Sequence, residues 1–363
     1  MRIAFVISTL YGGGAERVAC ILANQWISKG NGLCFFTTSF SDGKTYSLNS
    51  EIDIENIAVS RHQCFLSKIL CLKAKIKDYS PDIIVSFLDM PNFYASFVGA
   101  LLKIPTICSE RNNPIEFPSK KSVRLLRRIA FLQANGVVFQ TNDAKSFFSK
   151  KVQKKGYVIS NPVTPFLPDR KKPANNSIIS AGRLENQKDF PTLIKAFALF
   201  NKIHPEYSLF IYGDGSQKQN LLTLIQDNQL SQSIKIMPFS ESLHQIIAES
   251  RIFVLASKFE GMPNTLLEAL SIGVPSVASD CPIGGCKELI SNAKFSALFE
   301  LGNGTQLNER LLEIAGDYEK HFSGSASEAQ YFKERYSVAQ IAGEWISIIK
   351  NTIDGKIRKL EKK

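Results

Sequence analysis

The chain has 363 residues, of which 44% are hydrophobic and 21% charged. Those values exclude a disordered polymer, and the length matches two domains of ordinary size, each able to bury a core without staples. The formal charge of +11 is unevenly spread: residues 1–160 hold 21 Lys+Arg against 11 Asp+Glu, whereas residues 161–363 hold 23 against 22. The excess therefore lies in the first half, where it calls for an anionic partner such as a phospholipid surface or a phosphorylated substrate.

In chain order, short apolar runs at 2–7, 33–38, 82–87, 104–108, 136–140 and 156–160 read as buried strands. Helical periodicity fills 15–28, 65–78, 91–102, 121–134 and 142–150. The opening run, RIAFVI, is too short for a signal peptide and leads into a glycine loop, so it reads as a first strand. Residues 161–177 follow, with four prolines and a charge cluster, and read as a linker. The pattern then restarts. Strands are expected at 178–181, 207–212, 233–237, 252–256, 275–278 and 295–299. Helices are expected at 190–203, 216–229, 241–249, 264–272, 305–316, 325–335 and 337–351, before a basic tail. Alternating strands and helices predict two parallel, doubly wound α/β domains, 1–160 and 178–336, with strand C-termini facing a shared cleft.

No apolar stretch approaches the 18 residues needed for a membrane span. The seven cysteines are odd in number, form no Cys-x-x-Cys pair and sit largely in apolar runs, as in a reducing compartment. The four histidines do not pair with Cys at zinc-ligand spacing. The expectation is a cytoplasmic protein without a metal or a resident cofactor.

Four motifs follow predicted strands. Gly12, Gly13 and Gly14 lie between the first strand and its helix, where backbone can approach a phosphate. They are not the dinucleotide Gly-x-Gly-x-x-Gly pattern, and alone they read equally well as a tight turn. Gly182-Arg183-Leu184 with Lys188 places two cations beyond a strand's C-terminal end, where open sheets bind ligands. Arg183 offers a planar fork for a diphosphate and Lys188 a point charge; as isolated residues they would read as solvated cations. Gly213-Asp214-Gly215 is a glycine turn whose backbone is a candidate cleft wall, with no catalysis assigned to Asp214. Finally, Glu260-Gly261-Met262-Pro263-Asn264-Thr265 leads to Glu268 about one turn into a helix. Pro263 and Asn264 read as a helix start, with Asn264 as the cap. Both carboxylates suit hydrogen bonds from sugar and ribose hydroxyls; the plainer alternative is a solvated loop acid and an acid favouring a helix N-terminus.

Taken together, these motifs resemble glycosyltransferase family 4 over nearly the whole chain. The specific part is Glu260 and Glu268, with seven residues between them, after Gly182-Arg183-Leu184 and Lys188. The resemblance implies a GT-B fold whose C-terminal helix, 337–351, returns to the N-terminal domain. It implies a nucleotide-sugar donor held mostly by the second domain and transfer with retention, without a metal. Arg183 and Lys188 would then hold the diphosphate, Glu268 the ribose, and Glu260 would sit near the donor sugar. Gly13 and Gly14 would cover the phosphates, with Gly213 and residues Gly261 to Thr265 lining the donor site. The implied catalytic set is Glu260, Arg183 and Lys188. The chain lacks the family's histidine after the strand ending near 108; Ser109 to Pro114 stand there, with Arg111 as the candidate sugar contact in its place.

Two basic stretches, Lys120 to Arg128 and Lys150 to Lys155, fall in the half expected to hold the acceptor. They read as a peripheral contact to the inner face of the plasma membrane through anionic lipid, the alternative for each being a solvated helix face. The family resemblance points to a polyprenyl-diphosphate-linked glycan of the O-antigen, capsule or lipid-linked N-glycan kind as acceptor, and to a UDP-hexose or UDP-N-acetylhexosamine as donor. An epimerase acting on UDP-sugars with the same fold, or a non-catalytic carbohydrate-binding protein, are the competing readings. No nucleic-acid motif is present.

Overall fold

The computed structural model describes residues 1–40, 46–58 and 64–361, without the side chains of residues 356–361. The basic tail named above therefore lies largely outside the described side chains. Its elements in chain order are β1 (Arg2–Ile7), α1 (Gly14–Ile27), β2 (Gly32–Thr37), β3 (Asp53–Asn56), α2 (Phe65–Tyr79), β4 (Ile83–Phe87), α3 (Asp89–Leu102), β5 (Thr106–Ser109), α4 (Lys121–Gln133), β6 (Gly136–Phe139), α5 (Asn142–Ser146), α6 (Lys150–Gln153) and β7 (Gly156–Val158). There follow β8 (Ser177–Ala181), α7 (Phe190–Asn201), β9 (Ser208–Tyr212), α8 (Lys218–Asp227), β10 (Ile234–Met237), α9 (Leu243–Ala248), β11 (Ile252–Leu255), α10 (Asn264–Ile272), β12 (Ser276–Ser279), α11 (Gly285–Ile290), β13 (Ala297–Phe299), α12 (Gly304–Gly316), α13 (Tyr318–Arg335) and α14 (Val338–Glu361).

The chain divides into two compact units, residues 1–162 with 338–363, and residues 163–337. The first unit holds a sheet in the order β3-β2-β1-β4-β5-β6-β7, and the second one in the order β10-β9-β8-β11-β12-β13. All described strand pairs are parallel. In each sheet the chain builds outward to one side, then crosses back to the other. The crossing falls between β1 and β4 in the first unit, and between β8 and β11 in the second. Ligands of open α/β sheets bind beyond the strand C-termini at such a switch point.

Near-continuous apolar strands, such as Ile83 to Val85 and Ile252 to Leu255, are buried on both faces by the helices. Helix α14 packs on the first unit, where Trp345 is fully buried. Its ring lies 6.3 Å from Trp26 and 5.5 Å from Phe87, and the Trp26 indole N–H donates to the Ala342 carbonyl at 3.3 Å. Each such ring pair adds about 0.5–1.5 kcal/mol beyond its buried area.

The structure alters several local expectations. Strand β3 was not foreseen, because all four of its residues are exposed and its place comes from pairing with β2. Helix α11 was also unforeseen; it begins at Gly285, after Gly284 in the left-handed region at φ 70°. The helix expected over 142–150 is two short ones, α5 and α6, and the one expected over 325–335 begins at Tyr318. Asn264 is the first residue of α10, not its cap; Pro263 holds the cap position, with no side-chain cap bond. Residues 161–176 carry no helix or strand. From Val163 onward they are fastened to the second unit: the Val163 N–H donates to Tyr336 O at 2.8 Å, the Lys171 N–H to Ala248 O at 3.3 Å, and the Arg170 guanidinium to the Tyr318 hydroxyl at 3.0 Å.

Candidate active site

In the second unit, the loops after β8, β9, β11 and β12 are knitted together by backbone. The Leu184 N–H donates to Asp214 O at 2.9 Å, and the Gln217 N–H to Leu184 O at 2.9 Å. Glu185 accepts from both the Ser216 N–H and its hydroxyl. These contacts demand glycine. A Cβ on Gly213 would stand 2.0 Å from Gly182 O, and one on Gly285 1.9 Å from Gly261 O. The glycine turns therefore serve close packing of the strand-end loops on one another.

Across the switch point, the loop after β8 meets the loop after β11. The Lys258 N–H donates to Gln187 O at 2.7 Å, and the Gln187 amide to Phe259 O at 3.0 Å. Lys188 Nζ donates to Glu260 Oε1 at 2.6 Å, with side chains only 15% and 10% exposed. The same oxygen accepts from the Ser257 hydroxyl at 2.7 Å, and the Ser279 hydroxyl from β12 donates to Ser257 O at 2.5 Å. A charge-assisted bond this short and this shielded holds both groups firmly. The structure thus brings Lys188 and Glu260 together, as motifs 72 residues apart in sequence. Arg183, by contrast, is exposed at the rim.

Glu268 sits on α10 and is 1% exposed. Its Oε2 lies 3.0 Å from Nε2 of His244 on α9. His244 had no assigned part in the sequence reading, since nothing local marks it; its significance comes from a partner on another helix. Two thiols also border the site: Cys281 and Cys286, both buried, lie with their Sγ atoms 3.7 Å apart. Cys281 is held below the ordinary thiol range by its contact with Cys286, which itself is pushed well above it.

The remaining positions separate. Gly261 is half-buried in the loop, and Asn264 and Thr265 begin α10 half-buried. Met262, between Gly261 and Pro263 on the loop before α10, is 5% exposed and packs in the hydrophobic core with Leu266 and Leu289. In the first unit, Gly13 caps α1 and Gly14 opens it. The Glu16 carboxylate is folded over Gly13, 1.9 Å from where a Cβ would be.

Beyond β5 of the first unit the chain forms a buried polar network. Glu110, 3% exposed, pairs with Arg127 at 3.1 Å, and Arg127 also donates to Phe117 O at 2.6 Å and Pro114 O at 3.2 Å. Arg111 donates to Asn161 Oδ1, which the Gln140 amide also reaches at 2.8 Å, and its guanidinium lies 4.4 Å over the Phe87 ring. Burial pushes the Glu110 carboxyl up to about 8, aided by Asp89 and opposed by Arg127. Burial lowers Arg111 to about 9. Arg111, the expected sugar contact, is thus 6% exposed and turned onto Asn161 and Phe87. Arg127 is likewise not a surface cation. Helix α4 shows solvent a stripe of Lys121, Leu125, Arg128 and Leu132, whereas Arg127 shares its buried face with Ala130 and Phe131. Arg124 is half-buried, donating to the carbonyls of Ile115 and Pro118. Among the described residues, no helix is long and apolar enough to cross a membrane.

Residues 168–326 match the family model described as glycosyl transferases group 1. Over 361 residues the chain is 25% identical to a Campylobacter jejuni protein, covering 96% of this chain and 98% of that one; the relative is named as an alpha-1,4-N-acetyl-D-galactosaminyltransferase for GalNAc-alpha-(1->4)-GalNAc-alpha-(1->3)-diNAcBac-PP-undecaprenol. Among solved structures, sucrose-phosphate synthase from Thermosynechococcus elongatus is similar at a TM-score of 0.83 and 13% identity, covering 98% of this chain and 99% of that one. The Anabaena protein HepE, in complex with UDP, is similar at a TM-score of 0.79 and 17% identity, covering 97% and 100%. The expected GT-B pair of doubly wound domains is the fold that these likenesses show.

Proposed function

Since the chain is a glycosyltransferase, its second unit belonging to the group 1 glycosyl transferases, we propose that it moves a hexose or N-acetylhexosamine from a UDP-sugar to a polyprenyl-diphosphate-linked bacterial glycan. Transfer would retain the anomeric configuration and need no metal. The observation that carries this reading is the Lys188–Glu260 pair across the β8/β11 switch point, with Arg183 exposed beside it. Breaking the sugar–phosphate bond leaves negative charge on the departing diphosphate. A held cation, Lys188, and an exposed one, Arg183, at a strand-end site would stabilise that charge as it develops. Lys188 is held in place by Glu260 before any donor arrives, so little reorganisation is needed. Glu260, near the sugar, and Glu268, on the ribose, supply hydroxyl acceptors. The Campylobacter relative supports the lipid-linked acceptor, and the UDP complex of HepE the nucleotide.

The first unit would handle the acceptor at the cytoplasmic membrane face. Exposed Lys120, Lys121 and Arg128 lie with Leu125 and Leu132 on one side of α4, and Lys150, Lys151 and Lys154 are exposed near by in sequence. Cations mixed with apolar side chains suit an anionic bilayer surface.

The test is incubation with a panel of UDP- and GDP-sugars and an undecaprenyl-diphosphate oligosaccharide in anionic vesicles, read by mass spectrometry. The expected result is a UDP-sugar consumed and the glycan extended by one residue whose new linkage keeps the donor's configuration. A panel in which no donor is bound or consumed would overturn the reading.

A further inference from the structure

The buried carboxylate of Glu260 meets two donors from different parts of the second unit. Lys188 Nζ reaches it at 2.6 Å from the loop after β8, and the Ser257 hydroxyl at 2.7 Å from just beyond the end of β11. Both converge on one oxygen, Oε1. Among the described residues, none donates to Oε2. Two bonds to one oxygen from separate directions fix the plane of the carboxylate, and with it the place of the second oxygen. Lys188 reaches Oε1 on a flexible four-carbon stem. Ser257 is short, fully buried and itself held: the Ser279 hydroxyl from β12, also fully buried, donates to its carbonyl at 2.5 Å. The stiffer of the two supports is therefore Ser257, and a group aimed at a ligand needs such support to keep its geometry.

We propose that Ser257 is a positioning residue for the donor's sugar, holding the Glu260 carboxylate so that Oε2 receives a sugar hydroxyl. The proposal rests on the reading, given above, of Glu260 as the acid near the sugar. It differs from a purely structural role in what it predicts. A serine that only completes the packing of the strand-end loops would affect every ligand of the site alike. One that orients Glu260 for the sugar affects only ligands that carry the sugar, and it matters little once the carboxylate has been replaced.

The experiment is titration calorimetry on the full chain with UDP and with the UDP-sugar that wild type consumes. It compares wild type, Ser257→Ala, Glu260→Gln and the double variant. In Ser257→Ala the affinity for the UDP-sugar is expected to fall about 10-fold, the scale of one hydrogen bond to a charged group, with the affinity for UDP within about 2-fold of wild type. Unchanged UDP binding also shows that the site is still folded. Glu260→Gln is expected to lose UDP-sugar affinity by a similar factor. The double variant is expected to lose less than the product of the two, because one residue acts through the other. A Ser257→Ala variant that keeps its UDP-sugar affinity, loses both ligands equally, or multiplies in full with Glu260→Gln overturns the role of Ser257 and leaves the reading of Glu260 standing. A Glu260→Gln variant that binds the UDP-sugar as tightly as wild type overturns the reading of Glu260, and this proposal with it. A wild type that consumes no UDP-sugar overturns the function proposed above, and both with it.

Discussion

The two units carry similar sheets but finish their strand ends differently. Beyond β5, the first unit buries a polar cluster that is only partly paired: Glu110 meets Arg127, and Arg111 meets Asn161 and Phe87, while Arg111 Nε and Nη1, Asn113 Nδ2 and Gln140 Oε1 have no hydrogen-bond partner among the described residues. Beyond β8 and β11, the second unit uses glycine turns packed backbone to backbone, with one shielded ion pair, Lys188–Glu260, and an exposed arginine at the rim. The first arrangement buries its charges. The second keeps one cation, Arg183, exposed and another, Lys188, shielded against Glu260 on a frame of packed backbone turns. Charge alone would have pointed the other way, since the excess of Lys and Arg lies in the first half of the chain.

That contrast is open to attack, most severely at Arg127. Arg127→Met would leave Glu110 Oε2 and the carbonyls of Phe117 and Pro114 buried without their shared donor, and the first unit should lose about 2–3 kcal/mol in urea unfolding at neutral pH. Raising the pH above about 8, where Glu110 would have to ionise without its cation, should deepen the loss. A loss within about 0.5 kcal/mol would mean that Arg127 behaves as a surface residue.

Lys188→Ala should act on the second unit in a different currency, rate instead of stability. Turnover is expected to fall about 10²–10³-fold, as when one donor to a developing oxyanion is removed. Steady-state kinetics with the UDP-sugar that wild type consumes would measure it. Unaltered turnover would remove Lys188 from the site.

The smallest effect concerns pH. Glu110 keeps its proton up to about 8 in the folded chain, against an ordinary value of 4.5. Between those values the folded state binds more protons than the unfolded one, so stability should fall as pH rises through that window. Glu110→Gln should flatten this part of the profile, measured as urea midpoints at pH 5 and pH 8. An identical slope in the variant would assign the pH dependence elsewhere.

Legibility in the sequence followed the range of the forces involved. Buried parallel strands such as Ile83 to Phe87 announce themselves as apolar runs, and the glycines at 213 and 215 mark a local need of the backbone. Strand β3, Asp-Ile-Glu-Asn, was invisible because its exposed side chains carry no pattern and its neighbour supplies the hydrogen bonds. The pairs at the centre of both strand-end regions were equally hidden. Lys188 with Glu260, His244 with Glu268 and Arg127 with Glu110 each join separate elements, and only the folded sheets bring them within 3.1 Å. Arg127 was misread for a related reason: helical spacing distinguishes faces, but in α4 the buried face contains a charge. The motifs at Arg183, Lys188, Glu260 and Glu268 could be named as a donor site only from their resemblance to a family, and the core packing of Met262 beside them is equally a product of the fold.

The central claim is that the strand-end loops of the second unit hold the nucleotide. Hydrogen–deuterium exchange with and without UDP tests it most directly. The account predicts slowed exchange in peptides covering 182–189, 213–217 and 257–268. Protection confined to the first unit, or none at saturating UDP, would contradict it.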